Sequence, residues 1–177
     1  MKITPLSAVG AEVTEVDVTV LTAVQDAQLK AAFAQHGLLI FRDQDLTEAD
    51  HIGLAERWGQ INTNRFFKAH KDYPQIALVD KTPDQIQNIG GDWHTDHSYD
   101  QVPALGSILV AQALPETGGD TWFASMYRAF DQLSNGLKTL LLTLNAVHSA
   151  KHVFGNQSEY MQTNVSQKRM RRPGLSH

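Results

Sequence analysis

The segment Trp93–Tyr99 holds the residues of this sequence best suited to chemistry, because an imidazole and a carboxylate stand two positions apart in it. On a strand, side chains at i and i+2 point to the same face, so His94 and Asp96 are predicted to project together. A distant histidine would complete a 2-His-1-carboxylate site, which leaves open positions on Fe(II) for oxygen and a chelating substrate. A simple His–Asp hydrogen bond at a polar strand end is the alternative interpretation of the same pattern.

A second candidate is the tetrapeptide Gly118-Gly119-Asp120-Thr121. Its two glycines are typical of a tight turn that needs positive φ, and the Asp120 side chain is suited to bonding its own backbone there. The functional interpretation places the Thr121 hydroxyl at the mouth of a barrel, where it would donate to an anionic oxygen. Both interpretations predict a turn before Thr121.

Composition limits the chemistry available to these candidates. The chain has 177 residues, which suits one domain, and it has no cysteine, so a metal site must use His, Asp, Glu or water. The net charge of −4 argues against a nucleic-acid binder. We find no signal peptide and no apolar run of the roughly 20 residues that span a membrane, so we expect a cytoplasmic protein. Residues 166–177 form a basic loop or tail, predicted to be solvated, although it could touch phosphates or an acidic partner.

Hydrophobic patterns predict the elements that must position the candidate residues. Strands are expected within residues 11–20, 37–42, 76–79, 93–99, 105–113 and 121–124. Helices are expected over residues 22–35, ended by Gly37, and after Thr47, whose hydroxyl is predicted to cap the helix together with Asp50. Two further helices are predicted after Ser125 and after Asn135-Gly136. We expect the second of these helices to pack through one leucine face, formed by Leu137, Leu140, Leu141 and Leu144. The three tryptophans are expected in the core; they are Trp58, Trp93 and Trp122.

Several of these motifs, taken in order, resemble one family. Residues 93–96, 103–109 and 114–121, with Ile3-Thr4-Pro5-Leu6, Gly10-Ala11-Glu12-Val13, Phe41-Arg42-Asp43-Gln44 and residues 123–127, are similar to the taurine/2,4-D dioxygenases that depend on Fe(II) and 2-oxoglutarate. The resemblance covers roughly residues 1–155. It implies a double-stranded β-helix (a jelly roll, mainly β with flanking helices) within a single domain over residues 1–177 that corresponds to the N-terminal portion of the family domain.

The resemblance also implies roles for particular residues. His94 and Asp96 would be two of three iron ligands, and Thr121 would bind the 2-oxoglutarate carboxylate. Fe(II), O2 and 2-oxoglutarate would be used to hydroxylate a small, anionic organic substrate, with release of succinate and CO2. The expected partner is that small molecule, with neither nucleic acid nor membrane, and the family allows a homo-oligomer.

Two departures from the family bear on substrate and activity. Asn64 stands where the taurine enzyme has a sulfonate-binding histidine, so taurine is not the expected substrate. Asn64, Arg65 and His70 are the candidates for substrate binding, Arg65 because a guanidinium pairs with an anion bidentately. A surface or structural role is the alternative interpretation of Arg65. The family's distal iron-binding histidine and its 2-oxoglutarate-binding arginine would lie beyond residue 177, so we expect the chain as given to lack normal activity.

Other histidines do not offer a third ligand by sequence alone. His148 is expected to be structural, His152 to be a polar strand position, His177 to be unconstrained, and His97 to point away from Asp96. Two alternatives to the iron enzyme therefore stay open. One is a non-catalytic remnant of the family, and the other is a zinc hydrolase that uses His94 and Asp96 with another histidine.

Overall fold

A computed structural model of the protein describes residues 1–64, 66–82, 85 and 91–149. These residues belong to two compact units that alternate along the chain. The first unit comprises residues 1–60 and 108–145, and the second comprises residues 61–107 together with the chain from Ala146 onward. The described helices include none that is long and apolar enough to cross a membrane.

A three-stranded sheet forms the centre of the first unit. Strands β1 (Lys2–Pro5), β2 (Ala11–Thr14) and β3 (Leu39–Phe41) lie in the order β1-β2-β3. β1 and β2 pair antiparallel, and β2 and β3 pair parallel across the helix that connects them. The sequence predicted β2 and β3, which lie inside the expected ranges.

Helix α1 (Ala23–His36) and helix α2 (Glu48–Glu56) pack beside this sheet. A short 3-10 helix (Val18–Val20) precedes α1. The core of the unit is a cluster of Val13, Val18, Leu21, Leu29 and Leu54, and two alanines, Ala11 and Ala32, are buried as well. Trp58, half-buried, lies against this core and meets the ring of Phe33 edge to face at 5.4 Å, which confirms the prediction that Trp58 belongs to the core.

The helix ends follow the predicted capping residues. Thr47 accepts from the Asp50 backbone N–H at 3.2 Å, and the Asp50 carboxylate accepts from the Thr47 backbone N–H at 3.1 Å, so the predicted capping box is confirmed. Gly37 adopts φ +72 after α1 and donates its N–H to Phe33, which confirms the expected C-cap. The predicted cap Ser125 begins helix α3 (Met126–Asp131), and helix α4 (Asn135–Leu141) follows with Ser134 as its cap.

The second unit contains a small antiparallel sheet of β4 (Lys68–Ala69) and β5 (Ala77–Leu78). β5 lies inside the strand predicted over residues 76–79. Within this unit, the buried Phe66 ring meets the Tyr99 ring edge to face at 5.9 Å.

Three predicted strands are wrong, since residues 93–99, 105–113 and 121–124 form no strand in the structure. A strand exists only where a neighbouring strand accepts and donates its ladder hydrogen bonds, and a β-favouring composition does not supply that partner. The described part of the chain contains one three-stranded and one two-stranded sheet, which are fewer strands than the about eight of the expected jelly roll.

The predicted packing of the second half of the chain is also wrong in two places. The leucine face of α4 is exposed, with 56% of Leu140 and 47% of Leu137 accessible, and neither α3 nor α4 has a buried residue. Trp93 and Trp122, expected in the core, are 71% and 77% exposed. Helical spacing identified an apolar face correctly, but spacing does not show whether another element covers that face.

Candidate metal-binding site

The backbone around the candidate ligands is a turn where the sequence predicted a strand. Residues 96–99 form the turn, and His97 at its centre has φ +54, a left-handed conformation that interrupts extended structure. The Asp100 backbone N–H donates to the His97 carbonyl at 3.0 Å, which closes the turn. The prediction that His94 and Asp96 share one face of a strand is therefore wrong.

The two side chains nevertheless come together. His94 Nε2 lies 3.3 Å from Asp96 Oδ1. The other ring nitrogen is already engaged, because Nδ1–H donates to the backbone carbonyl of Asp92 at 2.7 Å. Since this bond places the proton of a neutral ring on Nδ1, the lone pair of Nε2 faces the carboxylate.

This arrangement fits a divalent cation. A lone pair and a carboxylate oxygen repel each other when nothing lies between them, and a shared cation or proton removes that repulsion. Two adjacent ligand atoms, each about 2.1 Å from an octahedral metal, are about 3.0 Å apart, close to the observed separation. Ligating histidines commonly donate their other N–H to a backbone carbonyl, as His94 does to Asp92. Both side chains are also accessible, at 46% for His94 and 65% for Asp96.

No third candidate ligand lies beside them within the described ranges, where no group of three metal-ligating side chains occurs. His97 Nδ1–H donates to Asp100 Oδ2 at 3.1 Å, and His148 Nδ1 is hydrogen-bonded to Ser98 Oγ at 2.9 Å. Both histidines thus support the turn beside Asp96 in the structure. His152 and His177 lie outside the described residues, as does the basic tail over residues 166–177.

Thr121 belongs to the first unit and is exposed. It follows the predicted turn, in which Gly118 and Gly119 have φ +79 and +74. A Cβ on Gly119 would lie 3.2 Å from Pro115 Cγ, so the close approach of Pro115 also favours glycine at that position. The positive φ expected of the two glycines is therefore confirmed, whereas the expected hairpin is wrong because the described residues on either side form no strand. The role of the Thr121 hydroxyl stays a prediction.

Two of the substrate-binding candidates that follow α2 already use one side-chain atom each to accept hydrogen bonds from backbone N–H groups. Asn64 Oδ1 accepts from the N–H groups of Phe66 and Phe67 at 2.8 and 3.0 Å. His70 Nδ1 accepts from the N–H groups of Asp72 and Tyr73, both at 3.2 Å, so the proton of its neutral ring is on Nε2. Arg65, the third candidate, lies outside the described residues.

The sequence reasoning missed the supports of the site. The acceptor of the His94 bond is a backbone carbonyl, which every residue has, so the sequence does not single out Asp92. Positive φ is uncommon for a residue other than glycine, so the sequence did not predict it at His97. The spacing of His97 and Asp100 was the one available indication, since residues three apart meet across a turn.

Comparisons with known proteins agree with the resemblance seen in the motifs. The family described as "Taurine catabolism dioxygenase TauD, TfdA family" matches residues 2–177. The (S)-phenoxypropionate/alpha-ketoglutarate-dioxygenase of Sphingobium herbicidovorans is 33% identical over 161 residues, which are 83% of this chain and 53% of that protein. The alpha-ketoglutarate-dependent sulfonate dioxygenase of Saccharomyces cerevisiae is 29% identical over 161 residues, 85% of this chain and 39% of that protein.

A solved structure is similar as well. AAD-2 in complex with Mn(II) and N-oxalylglycine superposes with a TM-score of 0.70 at 25% identity, covering 90% of this chain and 58% of that one. The chain thus spans about half the length of the relatives it matches. Because the family match extends over nearly the whole sequence and the fold agrees, the chain belongs to the TauD, TfdA family of dioxygenases.

Proposed function

We propose that the chain forms the metal-binding part of an Fe(II)- and 2-oxoglutarate-dependent dioxygenase that hydroxylates a small organic anion. The observation that carries the proposal is the 3.3 Å approach of His94 Nε2 to Asp96 Oδ1, made while Nδ1 is held by the Asp92 carbonyl. In this proposal His94 and Asp96 are two facial ligands of iron. The complete domain is a jelly roll to which residues 1–177 contribute the N-terminal portion.

When bound, iron with 2-oxoglutarate and O2 supplies an oxidative decarboxylation coupled to hydroxylation, in which one oxygen atom enters succinate, the other enters the substrate and CO2 leaves. The chain's own residues hold the participants. His94 presents the lone pair of Nε2 because its Nδ1–H is donated elsewhere. Asp96 contributes a charged oxygen that offsets part of the metal's charge, and the Thr121 hydroxyl donates to a carboxylate oxygen of 2-oxoglutarate.

The substrate class follows from two considerations. The relatives named for phenoxypropionate and for sulfonates act on organic anions. An anion needs N–H donors or a cation, and Asn64, Arg65 and His70 provide such groups. Since Asn64 Oδ1 is committed to two backbone N–H groups, its amide nitrogen would donate to the anion, and His70 stays a candidate. Arg65 would supply the paired charge.

The experiment is a calorimetric titration of the metal-free chain with Mn(II), which measures the binding affinity. We expect Asp96→Ala and His94→Ala to abolish measurable binding, because each removes one of the two ligands. Asp92→Ala is the matched control, since it deletes a neighbouring carboxylate but keeps the backbone carbonyl that accepts from His94. Unchanged binding by Asp96→Ala would contradict the assignment.

A second measurement separates the oxygenase from the two alternatives. A version of the protein extended to the length of its relatives and loaded with Fe(II) should convert 2-oxoglutarate to succinate only in the presence of O2. A zinc hydrolase would act on its substrate without O2, and a non-catalytic remnant would bind neither metal nor 2-oxoglutarate. Comparing the 177-residue chain with a version extended to the length of its relatives tests whether the remaining half is needed for turnover.

A further inference from the structure

The turn that follows Asp96 is fastened by two histidines, neither of which is a ligand in the proposed metal site. His97 Nδ1–H donates to Asp100 Oδ2 at 3.1 Å within the turn. His148 Nδ1 is hydrogen-bonded to Ser98 Oγ at 2.9 Å, fifty positions along the chain. Both bonds therefore meet at the residues that directly follow the proposed ligand Asp96.

The backbone at His97 needs such support. Its φ of +54 is a left-handed conformation that residues with a Cβ adopt at a cost. The side-chain bond to Asp100 and the backbone bond from the Asp100 N–H to the His97 carbonyl, at 3.0 Å, both close the same turn. The His97 and Asp100 side chains are only 15% and 19% exposed, so their bond is partly sheltered from competing water.

Asp96 has little else to hold it. Its side chain is 65% exposed, so packing does not fix its rotamer, and its position against His94 depends on the backbone that carries it. A carboxylate that must be ordered when the metal binds loses conformational freedom at that moment, which lowers the affinity. A turn locked beforehand removes that loss.

We propose that His97, through Asp100, and His148, through Ser98, are positioning residues that fix the turn after Asp96 and so hold its carboxylate against His94. The proposal rests on the proposed function for the identity of the ligands. Residues that orient ligands without touching the metal typically change metal affinity by about 10- to 100-fold when they are removed.

The test uses His97→Gly, Asp100→Ala, Asp100→Asn and Ser98→Ala in the chain as it exists. His97→Gly is the sharpest of them, because glycine adopts positive φ freely, so the substitution removes the bond to Asp100 and the ring contact with Tyr99 at 5.8 Å without straining the backbone. Asp100→Asn keeps an acceptor for His97 and serves as the conservative rescue of Asp100→Ala. His36→Ala is the matched control, since it removes a histidine from the last turn of α1 in the other unit.

Two readouts keep this proposal apart from the proposed function. In the metal-free chain, the nuclear Overhauser contact between the His94 ring and the Asp96 β protons reports their approach. Titration with Mn(II) then reports affinity. We expect His97→Gly, Asp100→Ala and Ser98→Ala to weaken the contact and to lower the affinity about tenfold or more, with Asp100→Asn and His36→Ala close to the unsubstituted chain. The double variant His97→Gly/Asp100→Ala should be no weaker than the weaker single variant.

Contact and affinity that both survive in His97→Gly and Ser98→Ala would overturn the positioning role. Additive losses in the double variant would overturn the link from His97 through Asp100. If the contact is present and responds to the substitutions while Mn(II) does not bind, the proposed function has failed and the positioning of Asp96 stands.

Discussion

Replacing Gly10 by alanine should destabilise the first unit through two separable effects. Gly10 is buried next to β2 with φ +95, and a Cβ there would lie 3.1 Å from the Cβ, the Cδ2 and the carbonyl oxygen of Leu38. Positive φ costs an L-residue about 1–2 kcal/mol. Crowding against a backbone oxygen adds about 1–3 kcal/mol, because the sheet must shift to relieve it. We therefore expect Gly10→Ala to lower the free energy of unfolding by about 2–5 kcal/mol.

Two other glycines separate these effects. Gly37 has φ +72 with no atom within 4 Å of an added Cβ, so Gly37→Ala should show only the conformational cost of about 1–2 kcal/mol. Gly53 lies inside α2 with open space around it and no positive φ, so Gly53→Ala should raise the free energy of unfolding by about 0.5–1 kcal/mol.

Urea unfolding followed by circular dichroism measures the series, with the slope compared across variants to show that the unfolding transition is the same. From the most to the least stable, the order should be Gly53→Ala, the unsubstituted chain, Gly37→Ala and Gly10→Ala. A Gly10→Ala variant as stable as Gly37→Ala would refute the crowding argument. A Gly53→Ala variant that is less stable than the unsubstituted chain would show that α2 meets a surface that the structure leaves open.

Three further predictions concern packing, capping and charge. Leu29→Ala should cost about 2–5 kcal/mol because Leu29 is 1% exposed, whereas Leu140→Ala, at 56% exposed, should change stability by less than about 0.5 kcal/mol in the same urea assay. Thr22→Ala removes one half of the capping box of α1 and should cost about 1 kcal/mol, measured against the unsubstituted chain. Hydrogen bonds from the Thr19 hydroxyl and backbone N–H lower the pKa of Asp17. The ionised Asp17 carboxylate therefore stabilises the fold above the ordinary carboxyl pKa, and this stabilisation is lost as the pH falls through the lowered pKa of Asp17. Unfolding midpoints of Asp17→Asn and the unsubstituted chain should therefore converge in acid, and a gap that stays constant would contradict this.

Local signals made the helices of this chain predictable. The capping box of Thr47 and Asp50 involves two residues three positions apart, and its bonds form as the sequence indicates. Gly37 and Ser125 end and begin their helices for equally local reasons, a positive φ and a hydroxyl that accepts a free N–H. Such features depend on the nearest turn of chain, so a single sequence contains nearly all the information needed to place them.

Strands and burial were predicted less well because they depend on distant partners. Residues 105–113 and 121–124 have the composition of strands, yet they form none, since no neighbouring strand supplies their ladder bonds in the described structure. The leucines of α4 lie on one face as expected, and the error was to assume a partner for that face. Periodicity identifies the face, whereas burial is decided by what packs on it.

At the candidate site, the side chains of His94 and Asp96 lie close together as predicted, although the predicted strand is absent. The pattern of His94 and Asp96 was read as one face of a strand, but the two side chains meet through a turn whose centre, His97, is left-handed. What brings them together is a set of short-range bonds, from His94 to the Asp92 carbonyl and from His97 to Asp100. A pair held by such bonds does not need the hydrogen bonds of the strand that was predicted over residues 93–99 and is absent from the structure. The geometry of the two proposed ligands should therefore respond more to substitutions in the turn than to changes in the β-favouring runs around it. The His97→Gly and Asp100→Ala variants measure this distinction.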